Sequence, residues 1–361
     1  MNQSLIFDLS LPELSSLLSQ WNEPTYRAKQ VWNGIYRNLW NDPNEFLNLP
    51  NPLRKKLSEN LEFNPLLPID TQKSKDGETV KTLFQLRDGQ AVETVLMKYE
   101  SPASFRQLNA GGSKRGRRTL CISTQVGCAM GCVFCATGQM GFKRHLSSGE
   151  IIAQVIHFAR LLYNQDERVS NVVVMGMGEP FHNYDNTMAA IDRLNDSDGF
   201  NFGARRFTIS TVGLIPSIIR FTREKRQVNL AISLHSATNS GRSSMLPINK
   251  KYSLEELMDS CHDYVATTKR RITFEWALID GVNDTPQEAE LLSNLLKDLL
   301  CHVNAIPLNP TKGYSGKVTS KKNAQIFKQI LVNAGIPCTI RIRKGIDIDA
   351  GCGQLHYKKS V

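Results

Sequence analysis

The sequence predicts an α/β protein: a small helical module and a β-hairpin, followed by six or seven strand–helix units forming a parallel sheet, either open or curled into a barrel. Three observations carry this. From Thr119 onward, short apolar runs alternate with helical stretches. Two of those stretches open on capping sequences, Ser147-Ser148-Gly149-Glu150 and Thr285-Pro286-Gln287-Glu288. The first hundred residues lack the alternation and show helical spacing instead.

Apolar residues recur at helical spacing over Leu5 to Leu18 and Tyr26 to Leu39, and Leu53 to Leu61 reads as a third helix. Thr79 to Leu86 alternates as a strand does, Asp88-Gly89 signals a turn, and Val92 to Lys98 supplies the returning strand. Together these mark a module over 1–100. Residues 101–118, basic and rich in Gly and Ser, read as a linker. Strands of the main body, 119–343, are expected at Leu120–Thr124, Val172–Met175, Phe207–Thr211, Asn229–Leu234, Ile272–Leu278 and Val303–Leu308, with a seventh at Thr339–Ile342. A C-terminal segment, 344–361, follows. In barrels the chemistry gathers at the C-terminal ends of the strands.

Composition narrows the class. Of 361 residues, 41% are hydrophobic, and the mean hydropathy is −0.30, which suits a folded core and argues against disorder. No run approaches the length of a membrane span, and Met1 to Glu13 lacks the pattern of a secretion signal, so a cytoplasmic protein without membrane contact is expected. Lys and Arg number 44 against 34 Asp and Glu, a net charge of +10. The excess is clustered, at Lys114-Arg115-Gly116-Arg117-Arg118, Arg205-Arg206, Lys269-Arg270-Arg271 and Arg341-Ile342-Arg343-Lys344. Such clusters favour a nucleic-acid partner through counterion release.

Eight cysteines in a chain of this kind point to metal or redox chemistry rather than to a disulfide scaffold. Cys128, Cys132 and Cys135 share one short loop just after the first strand of the main body. Three thiolates can hold three irons of a cubane cluster and leave the fourth iron open to a chelating substrate. A structural zinc would need a fourth ligand, for which His145 is nearest in sequence. Cys261, Cys301 and Cys338 stand alone in apolar surroundings and read as small buried hydrophobes.

The triplet, with Phe134 before its last cysteine, resembles the signature of the radical S-adenosylmethionine (SAM) enzymes. The resemblance implies a 4Fe-4S cluster whose open iron chelates SAM, one-electron cleavage of SAM to a 5′-deoxyadenosyl radical, and a partial (β/α)6 barrel. Met175-Gly176-Met177-Gly178-Glu179-Pro180 falls where that superfamily keeps its Gly-Glu-Pro element, which makes Gly178 and Glu179 expected SAM contacts. Ser210, Ser233, Leu234, His235 and Asn309, at later strand ends, resemble the further SAM contacts of one subfamily, the RlmN/Cfr adenosine methyltransferases.

Cys352, between Gly351 and Gly353, matches the cysteine that this subfamily methylates and from which a methylene radical adds to adenine. Cys121 resembles the thiol that releases the product by forming a disulfide with it, and Glu93 resembles the base that removes the ring proton. The resemblance therefore implies methylation at C2 of adenosine in 23S rRNA, and in tRNA beside the anticodon, with flavodoxin or ferredoxin supplying electrons. A Cfr-type enzyme acting at C8 has the same cysteines and stays open. So does an RNA-binding protein carrying structural zinc.

Overall fold

The computed structural model of the protein describes residues 3–100 and 116–356. Its first long helix shows how local chemistry sets boundaries. Ser10 accepts from the Glu13 N–H while the Glu13 carboxylate accepts from the Ser10 N–H, and Pro12 sits in the first turn. The helix therefore starts at Leu11 and runs Leu11–Gln20, not from Leu5 as periodicity suggests. Helices at Tyr26–Tyr36 and Asn51–Asn60 complete the module around buried Trp32, Tyr36 and Phe46.

Ten strands form one sheet. Seven are parallel neighbours: Arg117–Cys121, Asn171–Val174, Phe207–Thr211, Asn229–Ser233, Ile272–Leu278, Cys301–Pro307 and Cys338–Ile340. Helices between them, such as Ser148–Tyr163 and Pro286–Leu295, make six strand–helix units plus a final strand. The hairpin Thr79–Gln85 and Ala91–Tyr99 is not a separate layer. Ala91–Tyr99 pairs antiparallel with Arg117–Cys121 and so continues the sheet. Of the linker expected at 101–118, residues up to 115 lie outside those described, while Arg117 and Arg118 already belong to a strand.

One strand of this sheet had no sequence signal. Leu67–Lys73 is exposed throughout, carries Pro68 and breaks register between Pro68 and Asp70, as an outermost strand can. The core lies between sheet and helices and includes Trp276, Phe274, Phe158 and Phe207. Cys261, Cys301 and Cys338 are buried in it. Among the described residues, no helix is long and apolar enough to cross a membrane.

Candidate active site

The cysteine triplet sits in a loop closed by a small antiparallel ladder, Gln125–Gly127 against Phe142–His145. Gly127 has φ +71°, and a Cβ there would lie 1.8 Å from the Gly141 carbonyl oxygen, so the loop closes only on glycine. Cys128 N–H donates to Gly141 O at 3.1 Å, and Cys135 N–H to Cys132 O at 3.2 Å. Burial pushes the Cys128 thiol up to about 12 and raises that of Cys132 as well. Cys128 and Cys132 thus favour the thiolate form only beside strong positive charge, which suits iron.

His145 does not complete a zinc site. Its Nδ1 faces Gln125 Nε2 at 3.1 Å, and its ring packs against His182 with centroids 4.8 Å apart. Among the described residues, no three His, Cys, Asp or Glu side chains converge as ligands of a single ion. Ligands of a cubane need not converge, because each takes a different iron.

Above the loop a cavity opens at the C-terminal ends of the strands. It is lined by Cys132, Cys135, Gly178, Glu179, Ser210, Ser233, His235, Asn309, Cys121 and Cys352. Gly178 has φ +101°, and a Cβ there would meet Gln125 N at 2.8 Å. Glu179 is held by the N–H groups of Val212 (2.9 Å) and Phe181 (3.0 Å), while burial pushes its carboxyl up to about 7. The Ser210 and Ser233 hydroxyls lie 3.2 Å apart. His235 Nδ1 accepts the Ala277 N–H at 2.9 Å, so Nε2 carries the proton of the neutral ring. Burial lowers its pKa to about 3.

Asn309 does two things. Its Nδ2 donates to the Cys352 carbonyl at 3.0 Å, and its buried Oδ1 has no partner. That orphaned acceptor, in the same cavity as the Glu179 carboxyl, fits a ligand carrying an amino group, as SAM does. Leu234 is different: its side chain is core, and its carbonyl accepts from Arg242 at 2.9 Å.

Cys352 rides on a loop tied from several sides. Gly353 O accepts from Ala136 N–H at 2.7 Å, and Thr137 Oγ1 donates to Leu355 O at 2.6 Å, joining this loop to the helix after Cys135. Gln354 bonds Gly351 N–H and Pro310 O, both at 3.0 Å. The Cys352 thiol is open to the cavity although protein surrounds it, and burial pushes it up to about 11. Burial, then the charge of Cys352, raises Cys121 to about 12. Glu93 does not line the cavity; it is buried beneath the loop, paired with Lys81 at 3.0 Å.

The sequence does not mark four residues for the site, Arg341 reading there only as part of a basic cluster. Glu275 faces the cavity from the strand Ile272–Leu278 and Arg341 from just beyond the strand Cys338–Ile340, with Asn304 Nδ2 donating to Glu275 at 2.7 Å. Arg242 is buried and donates to Ser233 O at 3.1 Å and to Val212 O, knitting two strand ends together. Gln125 accepts the Glu179 N–H at 2.8 Å and so couples the cysteine loop to the Gly-Glu-Pro turn. Each acts through partners distant in sequence.

Comparison with known proteins agrees with this geometry. The Radical SAM superfamily pattern matches residues 122–292, and that of the ribosomal RNA large subunit methyltransferase N-terminal domain matches residues 5–63. Dual-specificity RNA methyltransferase RlmN 1 of Myxococcus xanthus is 46% identical over 350 residues, spanning 97% of this chain and 93% of that protein. The chain belongs to the RlmN family. A probable RlmN of Chloroflexus aurantiacus is 44% identical across 100% of the chain and 95% of its own length. The crystal structure of a radical SAM methyltransferase from Sphaerobacter thermophilus superposes with a TM-score of 0.91 at 46% identity, covering 98% of this chain and 99% of that one. As a radical SAM protein of the RlmN family, the chain uses a 4Fe-4S cluster and SAM.

Proposed function

We propose that this RlmN-family chain is a dual-specificity RNA methyltransferase that methylates C2 of adenosine in 23S rRNA and in tRNA beside the anticodon, through an S-methylated Cys352. The observation that supports this reading is the meeting of Cys121 and Cys352 in one cavity with Cys132 and Cys135, although Cys352 lies near the far end of the chain. A cluster without that cysteine pair would serve many radical reactions; the pair suits a covalent carrier and its release.

In this scheme Cys128, Cys132 and Cys135 hold the cluster. Glu179, Ser210, Ser233, His235, the Asn309 amide and the backbone at Gly178 hold SAM, with Leu234 shaping the strand end behind them. The bound cluster and SAM supply the methyl group and the one-electron chemistry. Cys352 carries the methyl carbon to the base, its loop fixed by Asn309 and Gln354. Cys121 frees the product by closing a disulfide with Cys352. Glu93 accepts the ring proton; it must reach the base from under the Cys352 loop. Electrons come from flavodoxin or ferredoxin, and the basic clusters bind the RNA.

Nucleoside mass spectrometry of rRNA and tRNA, with and without the gene, tests the proposal. Loss of 2-methyladenosine from both RNAs is the expected result. A change in 8-methyladenosine instead would replace C2 with C8, and no change in either would overturn RNA adenosine methylation.

A further inference from the structure

The segment 341–344 joins the last parallel strand to the turn before Cys352 and crosses the cavity mouth. It is pinned along its length. Arg341 N–H donates to Ala305 O at 2.8 Å, Arg343 reaches Leu308 O at 3.4 Å, and Lys344 Nζ bonds Lys98 O at 2.8 Å and Glu78. Between these anchors Ile342 is 80% exposed. Among the described large apolar side chains that are exposed, only Ile342 lines this cavity.

The rim around it is cationic. The Tyr99 ring has the Arg117 guanidinium 4.3 Å from its centroid and the Lys344 ammonium 4.5 Å from it. Arg343 completes the rim beside Ile342. A stiff β-branched side chain that follows a backbone hydrogen bond at Arg341, lies between side chains anchoring the segment and is flanked by cations does not suit an apolar protein surface. It suits a polyanion with stacked apolar planes inside. A base that reaches Cys352 has left its stack, and the gap it leaves lies at the cavity mouth.

We propose that Ile342 is a wedge that enters the RNA base stack where the target adenosine has been extruded, with Arg117 and Arg343 holding the adjacent phosphates and Lys344, paired with Glu78, fixing the segment that carries the wedge. The assignment rests on the RNA methylation reading above. It adds how the substrate is opened, which the cysteines and the SAM contacts leave unspecified.

The test uses the reconstituted holoenzyme and two synthetic RNAs: a hairpin in which the target adenosine is stacked, and an unstructured strand of the same local sequence. A matching hairpin carries 2-aminopurine at the target position, whose fluorescence rises on unstacking. Ile342→Ala is expected to lower the ratio of kcat/KM on stacked over unstructured RNA by about 10- to 100-fold, as loss of a contribution to base extrusion would. It should also abolish most of the fluorescence rise, and Ile342→Leu should restore both to within about twofold. An unaltered ratio, or a full fluorescence rise with Ile342→Ala, overturns the wedge. Failure of the wild-type enzyme to methylate either RNA overturns the methylation reading itself, whatever the variants do.

Discussion

The carboxylate of Glu93 lies 3.0 Å from the ammonium of Lys81, both almost fully buried, and its second oxygen accepts the His356 N–H at 2.9 Å. Lys81 also reaches the Asp349 carbonyl at 3.4 Å. One buried ion pair on the hairpin thus holds the chain on both sides of Cys352. Burial raises the Glu93 carboxyl while Lys81 opposes that shift, so the residue expected as a base is also a fastening.

Lys81→Met should therefore destabilise the protein by about 3–5 kcal/mol near neutral pH, because an uncompensated buried carboxylate remains. The loss should shrink on acidification, as Glu93 takes up a proton and its charge disappears. Lys81→Met combined with Glu93→Gln should recover much of it. Urea unfolding at two pH values checks this, and a single variant as stable as the wild type would remove the pair from the fold's supports.

Replacing Cys128, Cys132 or Cys135 by Ala should strip iron and abolish SAM cleavage, since each thiolate would serve one iron in the proposed ligation. Iron and sulfide analysis, with 5′-deoxyadenosine as the activity readout, checks this. Undiminished 5′-deoxyadenosine formation would contradict the ligand assignment.

Cys121→Ala should leave RNA attached to Cys352, because release in the proposed scheme uses the second thiol. Denaturing gels that separate free protein from an RNA adduct would reveal it. Normal turnover without an adduct would exclude Cys121 from product release.

Asn309→Ala removes both the anchor of the Cys352 carbonyl and the unpaired acceptor in the cavity. We expect kcat/KM to fall by about 10- to 100-fold through misplacement of the loop, with iron content retained. Faster proteolysis between Arg343 and Cys352 should accompany the loss. An equally protected loop would mean that the remaining ties, those of Gln354, Ala136, Thr137 and Lys81, suffice to hold it.

His157 gives the clearest pH dependence away from the cavity. Its ring packs edge-on against Phe84 and Phe158, and burial lowers its pKa to about 4 from 6.5. The unfolded chain thus binds a proton that the folded state refuses, so stability falls as pH drops from 6.5 toward 4 and is unaffected above. The contribution is about 3 kcal/mol. His157→Leu should abolish that part of the acid sensitivity, seen in urea unfolding between pH 7 and 4. Parallel pH profiles for variant and wild type would assign the sensitivity elsewhere.

The parts of this protein written in contiguous residues are legible in the amino-acid sequence by itself. Cys128, Cys132 and Cys135 announce their chemistry by spacing, the alternation from Thr119 announces a parallel sheet, and Ser147 and Thr285 announce helix starts through side chains that satisfy nearby N–H groups. The meeting of Cys121 with Cys352 is available there only through family resemblance, since nothing in either local sequence encodes the other. Tertiary structure alone decides the rest: that Leu67–Lys73 is a strand at all, that Lys81 faces Glu93, that Glu275 and Arg341 look into the cavity, and that Arg242 is buried among strand ends. The physical reason is range. Periodicity, caps and ligand spacing act within a few residues, whereas a strand paired only at an edge, or a buried charge, is stabilised by partners that folding brings from elsewhere in the chain.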